Sequence, residues 1–229
     1  MVAEIPSNEA QRMEALRQYD LLDTTSEQAF DDITALAAYI CKTPIALMVL
    51  LDSHRQWFKS RVGLDAMETP REHAFCAHAI LGGKTMVVEN ATEDARFSSN
   101  PLVTSEPHIR FYAGALLMNQ AGNALGTLCV IDRQPRSLDH EIIVALEVLA
   151  RQVVAQMELR RVASSLATAL EGVKTLRSLV PMCAWCKKIR NDKGYWDRVE
   201  EFIRKEMGAS TSHGICPDCS TKLINESKK

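Results

Sequence analysis

No stretch of this 229-residue sequence reaches 18 consecutive apolar residues, so no membrane-spanning helix is expected. The opening segment "MVAEIPSNEAQR" carries acids and lacks the apolar run of a secretory leader, which points to a cytoplasmic protein. A charge excess is missing too. Twenty-seven Lys and Arg stand against 29 Asp and Glu, a net charge of −2, which disfavours a broad polyanion-binding surface. Cysteine is sparse and odd in number: seven residues, four of them in two tight pairs. That pattern suits reduced thiols with a metal site better than a disulfide framework. There is no internal repeat. What is present is ordinary for a globular chain, with 46% apolar and 24% charged residues.

Hydrophobic periodicity supplies the elements. Ser7 is the expected cap of a first helix, "NEAQRMEALRQYDLLD". Thr25 and Gln28 form a capping-box pattern ahead of a second, with Phe30, Ile33, Leu36, Ala37 and Ile40 on one face. "IALMVLLD" reads as a buried strand and "QWFKSRVGL" as its partner. Strict alternation there places Trp57, Lys59 and Arg61 on one side and Phe58, Ser60 and Val62 on the other. A short helix at "EHAFCAHAIL", a strand at "TMVVEN" and an irregular loop at "EDARFSSNPLV" follow. "FYAGALLMNQAGNALGTLCVID" reads as a hairpin around a glycine turn.

From Ser137 one helix is expected to run more than forty residues. Its later part keeps a heptad, with Leu159, Leu166, Val173 and Val180 at one position and Val162, Ala169 and Leu176 at the other. That register predicts a coiled coil and a homodimer. Gly172 weakens the helix by about 1 kcal/mol relative to Ala.

The stretches "FDDITALAAYICKTPIALMVLLD", "RQWFKSRVGLD", "PREHAFCAHAIL", "ARFSSNPLV", "IRFYAGALL" and "LGTLCVID", in that order, resemble a GAF domain, the small-molecule sensor module related to PAS. The resemblance covers about residues 15–160 and implies an α+β fold, an antiparallel sheet flanked by helices. It is nearest the bacterial subgroup found ahead of diguanylate cyclases and histidine kinases. Family variants sort by residue. A covalently attached bilin needs a thiol near "PHIRFYAG", and no cysteine lies between Cys76 and Cys129. Methionine sulfoxide reduction needs an attacking and a resolving thiol, and Cys76 stands alone there. The "NKxxFxxxDE" pattern of cyclic-nucleotide binders is absent. The resemblance leaves a pocket between sheet and helices, for which Trp57, Phe75, Cys76, His78, Arg96, Asn100, Arg110 and Tyr112 are the candidate ligand-binding positions. Each also has a structural reading: core packing for Trp57, Phe75 and Cys76, and pairing with Asp94 or Glu106 for the arginines. Cys41 and Cys129 read as packing residues. His140 and Glu141 resemble a histidine-kinase phosphoacceptor box, but no glycine-rich ATP-binding segment follows.

After Pro181 the composition changes. Cys183 and Cys186 in "CAWCKKIR" are answered by Cys216 and Cys219 in "SHGICPDC". Two Cys-x-x-Cys pairs supply the four thiolates that tetrahedral Zn²⁺ takes in a closed structural site; His213 is an alternative to one cysteine, with a turn into the second pair as the leading reading of "SHG". Between them, Trp196, Val199, Phe202, Ile203 and Met207 share one face of an expected helix that ends at Gly208. Fewer than fifty residues need such a staple. Cys186 is followed by Lys187, not the histidine a haem attachment requires. The tail resembles a short module appended to bacterial PAS and GAF sensors, which implies a signalling context. Its basic cluster of Lys187, Lys188, Arg190 and Lys193 is offset by Asp192, Asp197, Glu200 and Glu201, so nucleic acid is not an expected partner.

Together these readings predict a GAF sensor over 1–160 with flanking dimerisation helices, a coiled-coil connector over 161–180 and a zinc-binding module over 181–229. The expected protein is not an enzyme. It senses a small ligand or a partner protein and relays that state through a helical dimer. The competing expectation is a thiol-based redox protein, either an oxidant-responsive switch at Cys76 or at the Cys183 and Cys186 pair that releases metal on oxidation, or an enzyme reducing free methionine sulfoxide.

Overall fold

The computed structural model describes residues 2–177, 181–190, 193–206, 208–210, 212 and 214–226. The chain divides into two compact units, Met1–Leu166 and Ala167–Lys229. No described helix is long and apolar enough to cross a membrane.

The first unit is built on a six-stranded antiparallel sheet. Its strands are β1 (Ile45–Leu51), β2 (Arg55–Val62), β3 (Glu68–Pro70), β4 (Met86–Val88), β5 (Phe111–Met118) and β6 (Ala124–Asp132), in the order β3-β2-β1-β6-β5-β4. β1 is buried along its whole length, because it is interior to the sheet and covered on both faces. Its alternate residues therefore serve two cores. Ala46, Met48 and Leu50 meet one layer, with Trp57, Leu128 and Val130. Ile45, Leu47, Val49 and Leu51 meet the other, with Phe58, Phe75, Phe97 and Tyr112.

The first layer holds α1 (Glu9–Arg17), α2 (Gln28–Cys41) and the domain-packed part of α5 (His140–Arg177). The second holds α3 (Phe75–Gly82) and α4 (Pro101–Thr104). The loop expected to be irregular thus contains one helical turn. Asn100 Oδ1 accepts from the Leu102 N–H at 2.9 Å, and Pro101 follows at the first helical position.

Three local readings are corrected. Neither Ser7 nor Thr25 caps a helix: α1 follows Asn8 and α2 follows Glu27, without a side-chain cap bond in either case. Glu27 is extended there, and its carboxylate is drawn to Lys59 and Arg160 instead. Strict alternation in β2 also fails. The pairing shifts between Met48 and Val49, so Met48 faces Ser60 while Val49 faces Phe58. This bulge returns Ser60 and Val62 to the α2 side, where Ser60 Oγ donates to Asp31 at 2.6 Å and Val62 joins the first core. On α2, Leu36 is 45% exposed and Thr34 takes a core position.

The second unit contains the strand pair β7 (Ile189–Arg190) and β8 (Trp196–Asp197), then α6 (Val199–Glu206) and α7 (Pro217–Glu226). Trp196 therefore lies on a strand, not on the expected helix. Met207 and His213 fall outside the described residues, as do Val180 and the side chains of Val173 and Leu176. In α5, Leu159, Val162, Leu166 and Leu170 are all more than half exposed.

Candidate functional site

A cavity of about 330 Å³ opens on the α3 and α4 side of the sheet. Its floor comes from Ile45 and Leu47 of β1, Phe58 of β2 and Ile131 of β6. The segment after β2 supplies one wall, Gly63–Ala66, and the segment after α4 supplies the other, Glu106, Pro107 and Ile109. Gly63 has φ +71°, and a Cβ there would collide with the Pro44 carbonyl oxygen, so glycine alone makes this turn. Arg133 closes the mouth, its Nε–H donating to the Pro107 carbonyl at 3.1 Å. Deeper polar groups are few. Gln56, nearly buried, donates through Nε2 to Thr69 Oγ1 and accepts from Cys76 Sγ at 3.1 Å. The balance of an apolar floor with a few placed polar groups is that of a small-molecule site, whose volumes run from about 300 Å³.

None of the eight residues singled out from the sequence lines this cavity. Trp57 packs on the opposite face of the sheet, in the α1–α2–α5 core. Phe75 and Phe97 stack with centroids 4.0 Å apart, Tyr112 tilts against Phe75 at 5.1 Å, and His78 meets the edge of Phe97 at 4.9 Å. These rings fill the space beside the cavity. Arg96 pairs with Asp94 at 2.6 Å and lies over Phe97. Asn100 donates to the His73 carbonyl at 3.0 Å, and Arg110 donates to the Val103 and Ile109 carbonyls. Apart from Trp57, these residues pack or hydrogen-bond on the α3 and α4 side of the sheet, and none of them lines the cavity. The lining residues Asp65, Glu106 and Arg133 carried no motif signal, because they sit in loops whose approach is set by the strands.

The buried thiols are held in the neutral form. Burial pushes Cys76 well above the ordinary thiol range, with the neighbouring Cys129 adding to it, and burial lifts Cys129 itself to about 12. Both shifts disfavour the thiolate, the form that oxidant-responsive chemistry at Cys76 would use.

The tail thiols differ. The Cys186 N–H points at Cys183 Sγ at 3.5 Å, and the Cys219 N–H points at Cys216 Sγ at 3.5 Å. These backbone donors hold the Cys183 and Cys216 thiols below their ordinary pKa. Cys183 sits in a turn closed by Lys187, at φ +57°, and Cys216 immediately precedes α7. Each pair is therefore shaped as half of a thiolate site. The two halves are not drawn together: among the described residues no three His, Cys, Asp or Glu side chains stand close enough to hold one ion.

A second feature links the cavity strand to α5. Lys59 follows Phe58 in β2, is wholly buried, and donates through Nζ to Glu27 at 2.7 Å, to Thr24 at 2.8 Å and to the Thr25 carbonyl at 2.6 Å. Arg160 of α5 donates to the same Glu27 carboxylate at 2.9 Å. The same stretch of α5 is also tied to Tyr19, whose hydroxyl donates to Glu158.

Comparison with known proteins fits this architecture. The chain is 46% identical over 157 residues to a cyclic di-GMP phosphodiesterase of Pseudomonas aeruginosa, a match covering 68% of this chain and 27% of that protein. The chain thus spans about a quarter of that relative. The expectation that the protein is not an enzyme is corrected by this match, since the relative bears an enzyme's name. The GAF domain of an Acinetobacter phosphoenolpyruvate-protein phosphotransferase superposes with a TM-score of 0.50 at 17% identity, covering 67% of this chain and 94% of that one. The PixJ GAF domain of Thermosynechococcus elongatus, in its blue-light absorbing form, gives 0.50 at 12% identity, covering 72% and 96%. The family model described as "GAF domain" matches residues 25–157, more than half of the sequence, and the chain belongs to that family.

Proposed function

We propose that this protein is a signal-transduction component of cyclic di-GMP metabolism, in which the cavity binds a small ligand and α5 carries the result. The observation that bears the reading is the shared carboxylate of Glu27, which ties Lys59 of β2 to Arg160 of α5 one residue from the cavity residue Phe58. A ligand that shifts β2 changes the cost of keeping Lys59 paired, and α5 registers the change through Arg160. The identity with the phosphodiesterase of Pseudomonas aeruginosa supports placing the domain in that signalling chemistry.

The output helix then acts between two copies. Leu159, Val162 and Leu166 keep three- and four-residue spacing and are exposed, and the same row on a second chain is their natural cover. In the tail, Cys183, Cys186, Cys216 and Cys219 are the donor set for one Zn²⁺, which would draw the two separate pairs into a closed tetrahedral centre. Support comes from the donor set and from the backbone N–H groups aimed at two of the four sulfurs.

The test is sedimentation of the full chain with and without Leu47→Trp, which fills the cavity from its floor. The reading expects a dimer whose association changes when the cavity is filled. A monomer in both cases, with Leu166→Asp behaving identically, would refute it.

A further inference from the structure

The mouth of the cavity carries its charges apart. Arg133 is the only cation among the lining residues, and Asp65 and Glu106 are the only acids. Among the described residues Arg133 makes no ion pair with either: its Nε is committed to the Pro107 carbonyl, and Glu106 has only a 3.9 Å approach to His108. Below them the surface is aliphatic and aromatic, Leu47 and Phe58 foremost.

This arrangement of exposed charges disfavours several ligand classes. A cyclic dinucleotide or a phosphate ester brings two or more negative charges to a mouth with one arginine and two carboxylates, and the volume is at the small end for ligands. A dicarboxylate meets the same repulsion. A neutral hydrocarbon fits the floor but makes no use of the three exposed charged groups at the mouth. A molecule with one positive group, one negative group and an apolar body has a counterpart for both signs of charge at the mouth and for the apolar floor.

We propose that this cavity takes a small apolar amino acid as its free zwitterion, with the carboxylate on Arg133, the ammonium toward Asp65 and Glu106, and the side chain against Leu47 and Phe58. The inference rests on the reading of the cavity as the sensory site and names its ligand class. The guanidinium is already oriented by the Pro107 carbonyl, so little side-chain freedom is lost on binding. The carboxylate then accepts charge-assisted hydrogen bonds from the remaining nitrogens.

The experiment is isothermal titration of the full chain with L-leucine, L-methionine and L-phenylalanine, beside two single-charge analogues of leucine, 4-methylpentanoate and isopentylamine. At least one amino acid binds, and each single-charge analogue binds more weakly by about tenfold or more, the scale of one charged hydrogen bond. Arg133→Gln weakens the amino acid by a similar factor without weakening isopentylamine. Asp65→Asn with Glu106→Gln does the reverse, sparing 4-methylpentanoate. Equal binding of the analogues, or indifference to these exposed substitutions, overturns the zwitterion assignment. Binding of an analogue that Leu47→Trp abolishes, with no amino acid bound, overturns the ligand class and keeps the cavity as a sensory site. No binding by any of the five compounds, with no small molecule retained in native mass spectra, overturns both.

Discussion

Glu27 and Lys59 meet at 2.7 Å with the lysine side chain wholly buried. Burial by itself would raise the Glu27 carboxyl pKa, but Lys59 and Arg160 outweigh it and hold the group below its usual range. Removing one partner of such a pair strands the other. Glu27→Gln is expected to cost about 1–3 kcal/mol, less than a fully buried pair because Glu27 is one-third exposed. Lys59→Met, which removes the buried charge with the contact, costs less than Glu27→Gln. Urea unfolding of both variants checks the order, and the reverse order would show that Lys59 is not dependent on Glu27.

Acid stability offers a second check. Burial opposes ionisation of Glu9, yet hydrogen bonds from Arg12 and Arg71 bring its pKa down from 4.5 to about 2. A depressed carboxylate contributes stability that is complete above its unfolded pKa and is lost as pH falls through the folded one. The loss therefore falls between about pH 4.5 and 2. Glu9→Gln flattens that part of the stability–pH curve, by on the order of 1–2 kcal/mol after allowance for solvent screening. Thermal melts in matched ionic strength measure it.

The seven thiols are expected to divide by location. Cys41, Cys76 and Cys129 are buried and resist a thiol reagent in the native protein, whereas the tail thiols react once metal is withdrawn by a chelator. Metal analysis of the untreated protein gives about one Zn²⁺ per chain. Cys183→Ser or Cys216→Ser lowers that content and exposes the tail to protease, with the melting of the first unit unchanged. Metal-free protein with four reactive tail thiols would contradict the assignment.

On α5, Leu159→Asp and Leu166→Asp place a charge in the exposed row. Both are expected to shift sedimentation from dimer to monomer and to leave the circular dichroism of the domain intact. Val144→Asp, earlier on the same helix and also exposed, serves as a comparison for how far toward the domain the pairing extends.

The sheet and its order of helices were legible because β1, β5 and β6 carry long apolar runs and α2 a clear helical period. The pocket was not, for a physical reason. Motif reasoning picked aromatic and titratable residues such as Phe75, Tyr112 and Arg96, and these serve packing and local ion pairing. The lining depends on where the 63–66 and 106–109 segments fold back over β1, a tertiary property without local signature. The bulge at Lys59 had the same character. Alternation predicts an unbroken strand, and only the pairing with Met48 and Val49 reveals the slip that turns Ser60 and Val62. In the tail, cysteine spacing announced two thiol pairs, while the strand pair at Ile189 and Trp196 was too short to leave a period.

The central claim is that the cavity and α5 are coupled through Glu27. Hydrogen–deuterium exchange of the full chain with and without saturating L-leucine tests it most directly. The account predicts altered protection both at the cavity wall, residues 63–69, and along α5 at 158–166, with the second change abolished in Glu27→Gln. A change confined to the cavity wall, with α5 exchanging identically in both states, would contradict it.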